Sequence, residues 1–548
     1  MQIDENGLLV LRKRYLVKDG TGCPIETVDD LFRRVASTVA AAEVNYTDGR
    51  REETADAFYR MMADLEFLPN SPTLMNAGRP LGQLAACFVL PIHDSLDSIF
   101  DQVKLTAKLH QTGGGTGFSF SRLRPKNDMV GSTMGAASGP VSFIRVINCS
   151  TEVMKQGGTR RGANMGILRI DHPDIEEFVL VKRDPAELTN FNLSVAMTDR
   201  FMEACVDNGT FPLINPRTEE EVKRVKARDL LNLIAESAWA AGDPGVIFID
   251  TINRANPTPH VGEIEATNPC GEQPLLPYES CCLGSINLSR LVKDGSIDWE
   301  RLKELTHLCV RFLDDVIDVS IYPSPEITGI TRANRKIGLG VMGFAHQLIR
   351  LGLPYDSAEA VSVGEKVMAF IQEESKAASK LLAEKRGSFP NYKGSRWEGL
   401  GLLQRNATTT TIAPTGTLSI IANTSSGIEP IYDVRYKRFL LGDVEVDMED
   451  PLWREVTTPA GGGKFSDRLF RKAYEVAPFY HLRMQQAFQR YVDNAVSKTI
   501  NLPESATSGE ILAIYTEAHR MGLKGTTVFR NRSRDYQILS CGTHQICS

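Results

Sequence analysis

The sequence predicts a large α/β fold with largely parallel strands, preceded by a small helical domain. Strand-like runs alternate with longer helical runs beyond about residue 68, an alternation typical of α/β architectures. The chain has 548 residues, 42% hydrophobic and 24% charged, enough for a large soluble barrel with additions. The strand candidates are Cys87–Ile92, Phe118–Leu123, Asn164–Ile170, Asn192–Met197, Val246–Asp250, Ser285–Leu291, Thr408–Pro414 and Thr526–Phe529. The helical candidates are Ser95–His110, Glu221–Ala241, Trp299–Val319, Glu359–Lys385 and Tyr480–Val496.

The N-terminal domain is predicted to span residues 1–68. Apolar positions between Thr27 and Glu43 follow helical spacing, with Thr27 as the N-cap. A second helical stretch covers about Glu52 to Leu65, and Pro69 ends it.

Charge and cysteine content exclude several classes of protein. A net charge of -6 argues against a general binder of nucleic acids or membrane surfaces. The chain has no apolar run of eighteen residues, and its start lacks a signal-peptide core, so we expect a cytoplasmic protein. Its ten cysteines form no Cys-x-x-Cys and its histidines no His-Glu-x-x-His. No metal site is therefore predicted, and most cysteines are expected to pack in the core.

The segment Asn268-Pro269-Cys270-Gly271-Glu272 is the strongest chemical signal. If it is extended, its amide, thiol and carboxylate at i, i+2 and i+4 lie on one side, because strand side chains alternate. Such a group could serve radical reduction of a sugar carbon. The alternative is a structural cysteine beside a solvated glutamate.

The adjacent pair Cys281-Cys282 follows closely. Vicinal cysteines are poor disulfide partners for each other, so at most one of them is expected to work with a distant cysteine such as Cys87.

Several glycine-rich or hydroxyl-rich strings are ambiguous. Gly338–Gly343 matches the dinucleotide fingerprint by letter, but the preceding residues are polar and basic, so close helix packing is predicted instead. Ala413–Ser419 and Asn70–Thr73 suit either a phosphate or an ordinary capped turn. The loops Arg122–Ser138 and Gln156–Asn164 suit either a nucleotide-covering segment or a flexible surface loop.

These strings together resemble one family. Asn268–Glu279 followed by Cys282–Leu288 is similar to the catalytic finger loop of ribonucleotide reductases of class II, the adenosylcobalamin-dependent enzymes. Three further strings resemble the same family in the same order, and the resemblance covers roughly residues 25 to 540. These strings are Leu68–Gly78, Gln83–Leu90 and Ala413–Thr417.

The resemblance implies a ten-stranded α/β barrel of two five-stranded halves over residues 69–535, with a catalytic finger loop inside. It implies that Cys270 becomes a thiyl radical, that Glu272 takes the 3′-hydroxyl proton and that Asn268 binds the sugar hydroxyls. Cys87 and Cys281 would supply two electrons and form a disulfide. Cys282 is assigned to packing. The implied substrate-phosphate residues are Ser71, Thr415, Gly416 and Thr417.

The resemblance also implies adenosylcobalamin as cofactor. The C-terminal Tyr-Tyr pair of class I subunits and the glycyl-radical string of class III enzymes are absent from this sequence. A rival reading is a class I-like subunit that needs a separate radical-generating partner. Another is a nucleotide-binding regulator without catalysis.

Regulation and re-reduction are further implications of the resemblance. A deoxynucleotide effector is expected at the interface of a homodimer, with Ser95–His110 supplying part of that interface. The matching effector positions are Asp94, Arg124, Gln156 and Arg160. Residues 536–548 are predicted to be a flexible tail, in which Cys541 and Cys547 exchange with the Cys87–Cys281 disulfide and are re-reduced by a thioredoxin-like protein. An inert terminus is the alternative.

Overall fold

The computed structural model describes residues 3–46, 50–131, 133–154, 162–440, 444–457, 465–533 and 539–541. Its α-helices are α1 Glu5–Arg14, α2 Val28–Val39, α3 Arg51–Ala63, α4 Ser71–Asn76, α5 Leu96–Gln111, α6 Pro140–Val153, α7 Ile175–Leu180, α8 Asp199–Val206, α9 Ala227–Ala241, α10 Ile249–Arg254, α11 Trp299–Val319, α12 Pro325–Asn334, α13 Phe344–Arg350, α14 Ala358–Arg386, α15 Arg396–Gly399, α16 Leu418–Ile421, α17 Pro451–Thr457, α18 Pro478–Gln489 and α19 Ser508–Arg520. Short 3₁₀ helices are Ala40–Asn45, Val181–Arg183, Leu288–Leu291, Pro390–Tyr392 and Asp467–Leu469.

The strands are β1 Phe67–Pro69, β2 Cys87–Pro91, β3 Gly115–Ser119, β4 Met129–Val130, β5 Gly135–Ala136, β6 Asn164–Arg169, β7 Phe191–Met197, β8 Thr210–Ile214, β9 Glu221–Lys226, β10 Gly245–Phe248, β11 Ala266–Thr267, β12 Pro274–Leu275, β13 Ser280–Asn287, β14 Val292–Lys293, β15 Ser296–Ile297, β16 Ile337–Met342, β17 Arg435–Leu440, β18 Val444–Glu449, β19 Thr499–Leu502, β20 Gly525–Arg530 and β21 Leu539–Cys541.

The N-terminal segment is helical, as predicted. Thr27 caps α2 in a capping box: its hydroxyl accepts from the Asp30 backbone N–H at 3.1 Å, and the Asp30 carboxylate accepts from the Thr27 N–H at 3.0 Å. The apolar face of α2, which includes Leu31 and Phe32, is buried. Helix α1 was not predicted from the sequence.

Two parallel groups of strands form the centre of the fold. Strands β2, β3, β6, β7 and β10 pair in parallel in that order. In the other group, β13 pairs in parallel with β16, and β19 with β20. Isolated parallel bridges Leu339–Thr410 and Ile412–Val496 link β16 to the residues before β19. The groups meet antiparallel at β2–β13 and β10–β20, which is the arrangement expected for two joined five-stranded halves.

Several local predictions were wrong. Thr408–Pro414, predicted as a strand, has only isolated bridges to Leu339 and Val496, and helix α18 ends at Gln489, before the predicted end at Val496. Glu221–Lys226 is strand β9, paired antiparallel with β8, before helix α9 begins; its Glu, Lys and Arg favour helix in isolation, and tertiary pairing overrides that preference. Gly338–Gly343, interpreted as close helix packing, lies in the buried strand β16 Ile337–Met342 except for its last residue. Strand β13 begins at Ser280, five residues before the predicted start.

Two apolar clusters lie on either side of the strands. The larger one lies between the strands and the surrounding helices. The smaller cluster includes Cys87, Ile167, Leu275 and Cys281 and therefore surrounds the hairpin β11–β12. Within the described parts of the chain, no helix is long and apolar enough to cross a bilayer.

Candidate active site

The catalytic string lies at the tip of a short hairpin, the finger loop (residues 266–275). Strands β11 and β12 pair antiparallel, Ala266 with Leu275 and Thr267 with Pro274. At the tip, the Gly271 N–H donates to the Asn268 carbonyl at 3.1 Å, and Gly271 has a φ of +80°, a conformation that favours glycine. The segment is therefore a tight turn rather than the extended strand considered from the sequence.

Glycines on two strands make room for this loop. A Cβ at Gly117 of β3 would overlap the Thr267 carbonyl, and one at Gly115 would lie 2.9 Å from the Pro269 ring. On β16, a Cβ at Gly338 would lie 2.8 Å from the Gln273 amide. Glycine inside a strand commonly marks such a close approach of another backbone.

Hydrogen bonds fix the loop tip against β7 and against the segments that contain Thr411 and Ala495. The Glu272 carbonyl accepts from the Thr411 hydroxyl and from the Ala495 N–H, both at 2.9 Å. The Asn192 side-chain amide donates to the Pro269 carbonyl at 2.8 Å. The tip is thus held at several points. A group that reacts with a substrate in one fixed geometry needs such restraint.

A cavity of about 210 Å³ brings four of the five predicted catalytic residues together. Its walls contain Cys87, Asn268, Cys270 and Glu272. Asn268 and Glu272 are buried, whereas Cys270 is exposed. The amide, thiol and carboxylate therefore share one cavity even though the turn removes the strand alternation from which this was predicted.

Cys87 and Cys281 lie directly opposite each other on the antiparallel strands β2 and β13. Opposite residues of such a pair have Cα atoms about 4.5–5.5 Å apart, within the range that a disulfide bridges. Both thiols are free. The Asn268 side-chain amide donates to the Cys87 sulfur at 3.0 Å, so the finger loop contacts this pair directly.

Burial keeps both thiols protonated. Desolvation raises the pKa of Cys87 well above its usual range, and the nearby Glu272 carboxylate raises it further. Desolvation, followed by the neighbouring Cys282, likewise raises the pKa of Cys281. A protonated pair can deliver two hydrogen atoms' worth of protons and electrons, as reduction at a sugar carbon needs.

Cys282 faces the other side of β13. It belongs to the larger cluster between strands and helices, whereas Cys281 belongs to the cluster around the finger loop. Burial raises the pKa of the Cys282 thiol to about 12. Cys282 therefore packs in the core, as predicted.

A second cavity, of about 610 Å³, adjoins the first. Pro269 and Cys270 belong to the walls of both cavities. The tip of the finger loop therefore separates two spaces, and Cys270 is accessible from each. Residues from both halves contribute to the larger cavity, among them Ser194, Ser425 and Tyr432.

The predicted phosphate residues line the same smaller cavity as the catalytic ones. Ser71 and the turn Thr415-Gly416-Thr417 lie in its wall. The Ser71 and Tyr15 hydroxyls are hydrogen-bonded at 2.8 Å, and the Thr415 hydroxyl accepts from the Gly427 N–H at 2.7 Å. Two further wall residues, Arg14 and His110, were missed because neither belongs to a recognisable string.

The predicted effector residues are brought together only in part. Arg124 Nε and the Asp94 carboxylate form an ion pair at 2.7 Å beside the start of α5. Gln156 and Arg160 lie outside the described residues. So does Cys547, whereas the Cys541 backbone pairs in β21 with Tyr436 of β17.

Comparison with known proteins agrees with this geometry. Residues 1–82 match the all-alpha domain of ribonucleotide reductase, and residues 85–403 and 401–529 match its barrel domain. The chain belongs to the ribonucleotide reductase family.

Relatives of this reductase chain carry more specific names. It is 47% identical to the vitamin B12-dependent ribonucleoside-diphosphate reductase of Thermoplasma acidophilum, over 99% of this chain and 81% of the relative. It is 51% identical to the protein of the same name from Mycobacterium tuberculosis, over 97% of this chain and 80% of the relative. A vitamin B12-dependent ribonucleotide reductase of Streptomyces coelicolor is 31% identical, over 87% of this chain and 59% of the relative.

Proposed function

We propose that this chain reduces ribonucleoside diphosphates to 2′-deoxyribonucleoside diphosphates for DNA synthesis, with adenosylcobalamin as cofactor. The observation that carries the proposal is the single cavity lined by Asn268, Cys270, Glu272 and Cys87, with Cys281 directly opposite Cys87 on the paired strand. A protein that only binds nucleotides needs none of these thiols. The names of the relatives at 47% and 51% identity supply the diphosphate and the cofactor.

In this proposal, Cys270 is converted to a thiyl radical, which abstracts the 3′-hydrogen of the ribose. Glu272 accepts the 3′-hydroxyl proton, and its position in the same cavity wall supports that role. Asn268 orients the sugar hydroxyls while its amide also contacts Cys87. All three groups are held on one tight turn, so their mutual geometry is set before a substrate enters.

The dithiol completes the reduction. The 2′-hydroxyl leaves as water after protonation, and Cys87 and Cys281 together give two electrons and two protons. Their sulfurs become joined in a disulfide, so one ribonucleotide and two thiols yield one deoxyribonucleotide, one water and one disulfide. At the end of the cycle, Cys270 returns the abstracted hydrogen atom to the 3′ carbon, and the thiyl radical forms again on its sulfur.

The cavity of about 610 Å³ is the candidate cofactor site, because its lining includes Cys270 but none of the predicted phosphate residues. Ser194, Ser425 and Tyr432 would contact the group through their hydroxyls. When bound, adenosylcobalamin supplies the radical chemistry through its weak cobalt–carbon bond. Pro269 and Cys270, which line both cavities, would lie between the cofactor and the substrate.

The test is an anaerobic incubation of the purified chain with adenosylcobalamin, a small dithiol and each ribonucleoside diphosphate or triphosphate. We expect deoxynucleotide product from diphosphates, dependent on the cofactor and absent in Cys270→Ser, with cob(II)alamin visible by electron paramagnetic resonance. No cob(II)alamin from folded, nucleotide-binding protein would contradict the proposal and favour a class I-like subunit that needs a partner.

We further propose a homodimer with an effector site at Asp94 and Arg124. Leu96 and Phe100 of α5 are 64% and 53% exposed, and Val153 at the end of the neighbouring α6 is 85% exposed, which supports an apolar interface there. Sedimentation should give a dimer that Phe100→Asp dissociates, together with loss of effector-dependent substrate choice. A monomeric wild-type chain that still responds to deoxynucleotides would contradict this.

We also propose that the tail cysteines, Cys541 and Cys547, re-reduce the dithiol by thiol exchange. The pairing of the Cys541 backbone with Tyr436, a residue of the larger cavity's wall, supports a tail close to the barrel. Cys541→Ser should stop multiple turnover with a thioredoxin system and leave turnover with a small dithiol unchanged. If Cys541→Ser and the wild type had equal thioredoxin-coupled turnover, the terminus would have no role in re-reduction.

A further inference from the structure

We propose that Arg14, at the end of the first helix, is the cation that binds the terminal phosphate of the substrate. This inference rests on the proposed function and extends it, because it names the group that reads the charge of a nucleoside diphosphate. It also gives the N-terminal helical segment a direct part in substrate binding.

Arg14 reaches the cavity beside the predicted phosphate residues. Its side chain lines the 210 Å³ cavity together with Ser71 and the Thr415–Thr417 turn. Its Nη1 donates to the Thr417 hydroxyl at 3.4 Å, a long bond for this type of donor and acceptor. A phosphate oxygen between these groups would make shorter, charge-assisted bonds with the guanidinium.

The end of α1 is held firmly at this position. Tyr15 is fully buried, its hydroxyl is hydrogen-bonded to that of Ser71 at 2.8 Å, and its carbonyl accepts from Arg79 at 2.6 Å. The residue after Arg14 is thus tied to one predicted phosphate segment while Arg14 touches the other. The first helix therefore bridges Ser71 and Thr417, which lie far apart in sequence.

A negatively charged diphosphate in this cavity would need a positively charged partner. Among the described residues in its wall, Arg14 is the only lysine or arginine, and Glu272 contributes a carboxylate. Hydroxyls and backbone N–H groups alone would leave a diphosphate without a full opposite charge. A guanidinium supplies that charge together with a planar pair of donors suited to phosphate.

The experiment measures equilibrium binding of CDP and of cytidine by calorimetry, without cofactor or turnover, for the wild type, Arg14→Gln, Arg14→Lys and Arg12→Gln. Arg12 lies on the same helix and is exposed, so Arg12→Gln is the matched control. We expect Arg14→Gln to weaken CDP binding about 10- to 100-fold, the size of a hydrogen bond to a charged group, and to leave cytidine binding unchanged. Arg14→Lys should fall between, and Arg12→Gln should bind both as the wild type does.

Steady-state turnover supplies a second readout. Arg14→Gln should raise KM for CDP by a similar factor with kcat within about 2-fold of wild type, the pattern of lost uniform binding. Thermal unfolding of Arg14→Gln and Arg12→Gln should coincide. Equal CDP affinity in Arg14→Gln and wild type, or equal losses for CDP and cytidine, would overturn the role of Arg14 alone. A wild-type chain that binds no CDP would overturn both this inference and the proposed function.

Discussion

The thiols of the site lie in two regions that differ in solvent exposure and in local structure. Cys270 lies on a turn at the tip of the finger loop, exposed to two cavities. Cys87 and Cys281 lie on paired strands and are 5% and 0% exposed. The position of Cys270 depends on how a loop fits between strands of both halves, whereas the dithiol depends only on the local register of β2 and β13.

The difference teaches that the two steps of the proposed reaction can be damaged separately. Substitutions that displace the finger loop should lower the rate of radical transfer and leave the dithiol intact. Changes in the strand pair should block reduction and leave radical formation intact. Variants of the two regions test this separation, beginning with the one whose expected effect is largest.

The largest effect is expected from Cys281→Ser. Without one electron-donating thiol, deoxynucleotide formation should fall at least about 1,000-fold, the scale of losing an essential group. Cob(II)alamin formation should stay at the wild-type level, because Cys270 is unchanged. Product is measured by chromatography and cob(II)alamin by electron paramagnetic resonance.

The neighbouring residue gives the control. Cys282→Ser should retain product formation within about 2-fold and cost about 1–3 kcal/mol of unfolding free energy, because a hydroxyl replaces a thiol in an apolar cluster. Loss of product in Cys282→Ser with activity retained in Cys281→Ser would reverse the assignment of the two faces.

A smaller effect is expected from Gly117→Ala. The added methyl overlaps the Thr267 carbonyl, so the finger loop must shift, and a displacement of this kind costs about 100-fold in rate. The Cys87–Cys281 pair should still oxidise to a disulfide. Turnover and thiol counting after a diamide treatment measure the two properties.

Gly329→Ala is the matched control for that change. Gly329 is exposed within α12, and a methyl group added there would meet no other atom within 4 Å. Alanine should therefore raise stability by about 0.5–1 kcal/mol and leave turnover unchanged. Wild-type turnover in Gly117→Ala would show that the loop's close approach to β3 does not set the rate.

The smallest effect concerns pH. Burial raises the pKa of Cys87, Cys281 and Cys309 well above its usual range, and that of Cys282 to about 12. Raised folded-state pKa values mean that stability is complete below the ordinary thiol pKa of about 8.5 and is lost as pH rises above it. Each buried thiol should remove up to about 1.4 kcal/mol per pH unit in that range.

Urea unfolding at pH 8 and pH 10 measures this loss. Cys309→Ala removes one buried thiol remote from the site, so its stability should fall less steeply between the two pH values. An unchanged slope in Cys309→Ala would mean that buried thiols do not govern the alkaline loss.

The sequence predicted the parts of the fold that local patterns encode. Strand β6 and helix α11 were located within a residue of their ends, because period 2 and period 3.6 are properties of neighbouring residues. The catalytic string was singled out because an amide, a thiol and a carboxylate occur within five residues, whereas the pairing of Cys87 with Cys281 was implied by the resemblance to ribonucleotide reductases. The glycine-rich strand β16 was missed, because its glycines serve an approach by Gln273 and Thr411 that no local pattern reveals.

The sequence by itself, through its motifs and the family resemblance, singled out the side chains to which the proposed chemistry is assigned: Asn268, Cys270, Glu272 and the dithiol. Only the tertiary structure decided how they meet. It turned the catalytic string into a loop tip between two cavities, put Cys281 and Cys282 on opposite faces of β13, and brought Arg14 to the Thr417 hydroxyl. The physical reason is that such contacts join residues hundreds of positions apart, and their geometry follows from the packing of whole strands and helices rather than from any local preference.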